Sequence, residues 1–114
     1  VEFKASERKI YSKKYNYAGT CDFCAVIDGK NIIGDLKTSS GIWDEYWLQT
    51  AAYKQALLEE GVKYIHHTII IRCGKDGSFE VKEMNDFENH ISAFVSALDL
   101  FRWQKKMKFL STKK

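Results

Sequence analysis

With 114 residues, 45% of them hydrophobic and 14% aromatic, the chain suits one small domain with a real core and is too apolar for a disordered polymer. No apolar run nears the ~20 residues of a membrane span, and no signal peptide is visible. The net charge is only +3, but the basic residues gather at the ends: Arg102, Lys105, Lys106, Lys108, Lys113 and Lys114 stand without an acid, and Lys4, Arg8, Lys9, Lys13 and Lys14 outnumber Glu2 and Glu7. Such ends suit either a polyanionic partner or an ordinary solvated surface.

The chain opens on Val1 and enters strand-like sequence at once, as expected of a fragment or of a chain whose native N-terminus has been removed. From Glu2 to Tyr17 the β-formers Phe3, Ile10, Tyr11, Tyr15 and Tyr17 predict two short strands or one long bent one. Ala18-Gly19-Thr20 is expected to interrupt them. Cys21 to Ile27 reads as a half-buried strand, and Asp28-Gly29-Lys30-Asn31 carries hairpin-turn chemistry. A strand from Ile32 to Thr38 follows, antiparallel to the one before, and Ser39-Ser40-Gly41 ends it.

Asp44 is the expected N-cap of a helix over Glu45–Glu60, with Gly61 closing it. Ala51, Ala52 and Ala56 let that helix lie close against a sheet. Tyr64 to Cys73 is rich in β-branched residues, Lys75-Asp76-Gly77-Ser78 is a turn, and Phe79 to Met84 is a short strand. Asn85 or Asp86 caps a last helix. There Phe87, Ile91, Phe94, Val95, Leu98 and Phe101 recur at spacings of three and four, the pattern of a helix packed on a sheet. The order β-β-β-α-β-β-α predicts an α/β fold, a mixed β-sheet core flanked by helices, in a single domain over residues 1–114.

Three cysteines, an odd number, argue against a disulfide framework and fit a reducing, cytoplasmic compartment. Cys21 and Cys24 form a CxxC. On a regular strand their odd separation sends the thiols to opposite faces, and no second CxxC completes a zinc site.

The chemistry lies around Ile33-Gly34-Asp35-Leu36-Lys37. The strand period of two puts Asp35 and Lys37 on one face and Leu36 on the other. The hairpin brings Asp22 alongside. Two close carboxylates repel unless a cation sits between them, and Mg²⁺ needs only a few protein oxygens, here Asp22, Asp35 and the Leu36 carbonyl. Lys37 beside such a site would stabilise charge on a phosphate or help deprotonate a water. The same residues also describe a plain surface ion pair with an unrelated Asp22. Gln49 and Tyr53, four apart, share a helical face, where they either contact a nucleotide or pack in the core.

Gly19-Thr20-Cys21-Asp22, Ile33-Gly34-Asp35-Leu36-Lys37-Thr38-Ser39 and Gln49-Thr50-Ala51-Ala52-Tyr53 together resemble the PD-(D/E)XK nuclease superfamily, and within it the RecB-like exonuclease branch. That branch shows G-x-x-D, D-x-K-T and Q-x-x-x-Y in this order. The resemblance covers Gly19 to Tyr53 and implies a restriction-endonuclease-like fold in which Asp22 and Asp35 bind Mg²⁺ or Mn²⁺. Lys37 would be the catalytic lysine, with Gln49, Tyr53, Thr38 and Ser39 near the substrate. Glu2 matches an acidic residue on an early strand and would assist the metal. The resemblance also implies a helical segment ahead of the first strand that brings a His or Glu near the metal. That N-terminal helical segment is expected to be lacking here, since the chain enters strand-like sequence from Val1, and His66, His67 and His90 all follow the motifs. With three cysteines the chain does not supply the four that hold an iron-sulfur cluster in some relatives.

The expected activity is hydrolysis of DNA phosphodiester bonds by a metal-dependent exonuclease. The partners would be DNA strands or ends and a larger assembly or helicase, in a bacterial or phage-encoded setting of repair or recombination. Two alternatives stand beside it: a nuclease-like module that binds nucleic acid without cutting, and a double-strand endonuclease.

Overall fold

Asp28 and Gly29 adopt φ of +50° and +76°, the pair of positive angles that a two-residue hairpin turn demands. They join two strands of a five-stranded sheet. The computed structural model describes residues 2–62 and 64–112. Its elements are β1 (Glu2–Ser12), β2 (Tyr17–Ile27), β3 (Lys30–Lys37), α1 (Tyr46–Glu59), β4 (His67–Cys73), β5 (Phe79–Met84) and α2 (Phe87–Thr112). The mixed α/β architecture and the order β-β-β-α-β-β-α are those the sequence predicts.

The strands lie side by side in chain order. β1, β2 and β3 are antiparallel neighbours, β3 and β4 run parallel, and β5 returns antiparallel to β4. The parallel pair requires a crossover, and α1 supplies it. Ala56, with no side chain beyond Cβ, brings α1 down onto Ile33, Cys21 and Ile10, and Leu57, Tyr53 and Ile65 complete that cluster. A second cluster of Phe23, Ala25, Ile32 and Ile69 occupies the opposite face of the sheet. No helix covers that face among the described residues.

Four expectations change. Ala18-Gly19-Thr20 does not interrupt the strand, and β2 runs through it. A Cβ on Gly19 would stand 3.1 Å from the Tyr53 ring, so the glycine marks close packing under α1 rather than a break. Asp44 does not cap α1 with its side chain. The helix starts at Tyr46, and Asp44 offers only its carbonyl, to the Trp47 N–H at 3.1 Å.

The strand expected from Tyr64 begins at His67. There the His66 N–H donates to the Asn31 carbonyl at 2.8 Å, while the Asn31 N–H is taken by His66 Nδ1 at 3.0 Å. Finally, α2 packs on α1 rather than on the sheet: His90 stacks over Trp47, and Lys54 lies over the Phe87 ring. Phe94 reaches Tyr17 edge-on at 5.0 Å, and Arg102 Nη2 donates to the Asn16 carbonyl at 2.6 Å. Beyond that anchor the helix exposes Trp103, Met107 and Leu110. Val1, Lys113 and Lys114, part of the two basic ends, lie outside the described residues.

Candidate metal centre

β3 presents Ile33, Asp35 and Lys37 to α1, and Asp35 is almost fully buried, only 2% exposed. A buried carboxylate needs donors. Its Oδ2 faces Lys37 Nζ at 2.9 Å, yet not in hydrogen-bonding geometry, and it has no other partner. Burial pushes the Asp35 carboxyl up to about 6, and the neighbouring Asp22 adds to the rise against the opposing pull of Lys37. The site therefore carries an excess of negative charge that protein donors do not neutralise.

Asp22 arrives through a break in β2. Cys21 packs in the cluster under α1 and Phe23 in the cluster on the other face, so strict alternation slips across Asp22. On β1, Glu7 sits between the partners of Cys21 and Phe23 and takes φ of +50°. The paired register of β2 with β3 stops at Phe23–Gly34. One step further, the Leu36 N–H finds the Asp22 carboxylate instead of a backbone carbonyl, at 2.7 Å. Asp22 is thereby tied to the residue between Asp35 and Lys37.

The same slip corrects the reading of the CxxC. Cys24 packs against the cluster that contains Cys21, so both thiols share one face. The interaction of the paired thiols lowers the Cys24 thiol to about 7 and raises that of Cys21, whose Sγ donates to the Phe23 carbonyl at 3.4 Å. Alternation assumes an unbroken ladder, and here the ladder is broken between them. All three cysteines are free thiols.

α1 fixes the lysine. Lys37 Nζ donates to Gln49 Oε1 at 2.7 Å, and Gln49 Nε2 donates to the Tyr53 hydroxyl at 2.7 Å. The i, i+4 spacing of Gln49 and Tyr53 on one helical face makes this relay possible. Burial, then the Asp35 charge, pushes the Tyr53 hydroxyl up to about 12, so it stays a neutral phenol. Tyr46 was not anticipated. Its ring lies under Lys37 Nζ at 4.7 Å, a cation–π contact. The signal was present, since Tyr46, Gln49 and Tyr53 fall at i, i+3 and i+7.

The other expected residues divide. Thr38 and Ser39 follow β3 and line a hollow beside the site. Glu2 is not brought in: it sits opposite Val26, four residues along β2 from Asp22, and pairs with Lys4 at 2.8 Å on the surface. No His joins the carboxylates, and no group of three or more His, Cys, Asp or Glu side chains converges among the described residues. The donor set is thus two carboxylates with adjacent backbone. It fits a hard divalent cation that keeps waters, and not a soft-metal cage. Asp35 Oδ2, buried and without a hydrogen bond, is the atom such a cation would satisfy.

No family model matches the chain, and no curated protein matches it. Among solved structures it is similar to the crystal structure of SSO0001, with a TM-score of 0.56 and 19% identity over 83% of this chain. That likeness shows the fold alone. The chain spans 48% of the length of that structure. No helix among the described residues is long and apolar enough to cross a membrane.

Proposed function

We propose that the protein is a Mg²⁺- or Mn²⁺-dependent deoxyribonuclease of the RecB-like PD-(D/E)XK kind, acting on DNA strands or ends. One observation carries the proposal. A buried aspartate with an unsatisfied oxygen stands beside a second aspartate and a lysine that a glutamine and a tyrosine hold in place.

Asp22 and Asp35 would hold the cation. When bound, it supplies positive charge against a phosphate oxygen and makes a water acidic enough to attack at neutral pH. The chain's own residues do the rest. Lys37 donates to Gln49 and keeps only a charge contact with Asp35 Oδ2 at 2.9 Å, so its ammonium retains N–H capacity for a phosphate oxygen. Gln49 cannot rotate without losing Tyr53, and this fixes the ammonium before substrate arrives. The Tyr46 ring lies against Lys37 Nζ at 4.7 Å and covers that side of the ammonium. Water adds at phosphorus and the bond to the leaving sugar oxygen breaks, a displacement that needs positioning and charge more than covalent help. The basic residues of β1 and of the second half of α2 suit the polyanionic backbone.

A second reading, a module that binds nucleic acid without cutting, is favoured by the meeting of only two carboxylates among the described residues. One experiment separates the two. Linear single- and double-stranded DNA and a closed circle are incubated with Mg²⁺ or Mn²⁺ and with wild type, Asp35→Asn or Lys37→Ala. Metal-dependent loss of the linear substrates by wild type alone supports the nuclease. Salt-sensitive binding with no cleavage in either metal supports the module, and cutting of the circle marks an endonuclease.

A further inference from the structure

The hollow that Thr38 and Ser39 line has a volume of about 470 Å³ and lies at the carboxyl ends of the two parallel strands, β3 and β4. In open α/β sheets that end is where ligands bind. Its inner wall is Arg72, the last buried residue of β4, which the register sets directly across from Lys37. Two residues along the strand and one strand across put the Cα atoms of Asp35 and Arg72 about 8 Å apart.

Arg72 is a buried cation held open. Its Nε donates to Glu80 Oε1 at 3.2 Å, and its Nη1 donates to the Ser39 carbonyl at 3.3 Å and to Ser78 Oγ at 3.0 Å. Nη2 has no acceptor among the described residues. Glu80 does not cancel the charge, because Lys82 also lies 3.8 Å from it. The three groups together carry one net positive charge. Across the hollow, Lys75 is exposed and makes no ion pair among the described residues. Asp76 is the one acid on the lining, and its Oδ1 is occupied by the Ser78 N–H at 2.9 Å.

Gly74 completes the cradle. A Cβ there would stand 2.9 Å from Arg72 Nη1, 2.3 Å from Ser78 Oγ and 2.7 Å from Asp76 Oδ1. Without a side chain here, Ser78, Asp76 and the guanidinium keep these close positions, and a Cβ would force them to shift. A planar fork fixed by three protein acceptors, with its second amino group free, is suited to a tetrahedral oxyanion.

We infer that this hollow is a second phosphate site, in which Arg72 and Lys75 grip the backbone phosphate of a nucleic-acid strand next to the one held at Asp35 and Lys37. The inference rests on the nuclease reading for its substrate. Arg72 positions the strand and takes no part in bond breaking. Gripping a flanking phosphate sets which bond lies over Asp35, and a strand lacking that phosphate is held in the wrong register.

The test uses short single-stranded oligonucleotides, each with one neutral methylphosphonate in place of one phosphate. Binding is measured in Ca²⁺ and cleavage in Mg²⁺, for wild type, Arg72→Lys, Lys75→Ala and Gly74→Ala. We expect one methylphosphonate position to weaken wild-type binding about tenfold, the loss of a charge-assisted contact. At that position Arg72→Lys and Lys75→Ala should show a much smaller further loss, and with the native strand they should lower kcat/KM several-fold and shift the position of the cut. Lys75 is exposed, so its variant keeps the proposal testable if Arg72→Lys folds poorly.

Equal sensitivity of wild type and variants at every position would overturn the inference, even with nuclease activity intact. So would inorganic phosphate binding as tightly as the strand, which would assign the hollow to the free anion. Coupling to one position without cleavage by any protein would keep the phosphate site and sink the nuclease reading instead.

Discussion

The two faces of β3 invert the usual rule of burial. Toward α1 the strand turns Asp35, 2% exposed, and Lys37, while on the other face Leu36 is 55% exposed. Polar residues ordinarily face water and leucine ordinarily hides. Further back the strand behaves as expected, with Ile33 buried under α1 and Ile32 buried on the opposite face. The inversion starts where β2 pairing stops, one residue past Gly34. A sheet that buries a carboxylate there accepts a cost in stability that packing alone would remove, and costs of that kind concentrate at sites of chemistry.

Breaking the polar face gives the largest effect. On the proposed nuclease reading, Asp35→Asn should lower metal-dependent cleavage about 100-fold or more, since it would remove a charged ligand for the cation. The same change should stabilise the metal-free protein at neutral pH. Burial pushes the folded Asp35 carboxyl up to about 6, above the ordinary aspartate range it has when unfolded, so between those values the folded state holds more protons. Wild-type stability should therefore fall as pH rises from about 4 to 6, with the cost absent below that window and complete above it. Urea melts across pH 4 to 8, without metal, should show this slope in wild type and lose it in Asp35→Asn. An unchanged slope would mean that the burial cost lies elsewhere. Added Mg²⁺ should raise the wild-type midpoint above pH 6 and leave the variant unmoved.

The apolar face breaks by overpacking. A Cβ on Gly34 would fall 1.8 Å from the tip of the Phe23 ring, which itself meets Phe3 edge-on at 5.8 Å. Gly34→Ala should cost about 1–3 kcal/mol, the usual penalty for forcing atoms into a filled space. A denaturant midpoint equal to wild type would show that Phe23 swings out freely. The glycine thus belongs to the back of the site: it lets the ring lie flat against β3 directly behind the residue preceding Asp35.

A smaller loss follows from Tyr53→Phe, which keeps the ring and removes the hydroxyl. Gln49 Nε2 then loses its acceptor at 2.7 Å, which should cost about 1–2 kcal/mol in stability. With Gln49 free to turn, Lys37 loses its fixed place, so kcat should fall more than KM rises. A change in KM alone would instead assign Tyr53 to strand binding.

Much of this was legible in the sequence. Asp28-Gly29 fixes the hairpin by its backbone requirements, and the D-x-K and Q-x-x-x-Y spacings carry the contacts of the site, because period two on a strand and i, i+4 on a helix are local rules. What was not legible depends on partners far along the chain. The slip at Asp22 lies where the pairing of β2 with β3 ends and Glu7 on β1 takes a positive φ, and it puts Cys21 and Cys24 together against the alternation rule. α2 shows a face suited to a sheet, but α1 already occupies that place. Arg72 reads as one arginine in a strand until β3, β5 and the turn at Gly74 close on it. Glu2 fails for the converse reason: it has the right residue type on the right strand at the wrong end.

The smallest effect is expected at Leu36, and it sharpens the comparison most. Leu36, Ile71 and Val81 align across β3, β4 and β5 on the face without a helix, and both Leu36 and Val81 are exposed. A β-branched polar residue suits a solvated strand position, so Leu36→Thr should change stability by no more than about 0.5 kcal/mol. It should also leave cleavage unchanged, because the site uses the Leu36 amide, which Asp22 accepts, and not its side chain. Chemical melts and cleavage assays on the same preparation check both statements. A loss of several-fold in kcat without a loss of stability would place the Leu36 side chain in contact with substrate. A loss of 2 kcal/mol or more, comparable to truncating a buried aliphatic side chain, would instead show that the open face is covered in solution.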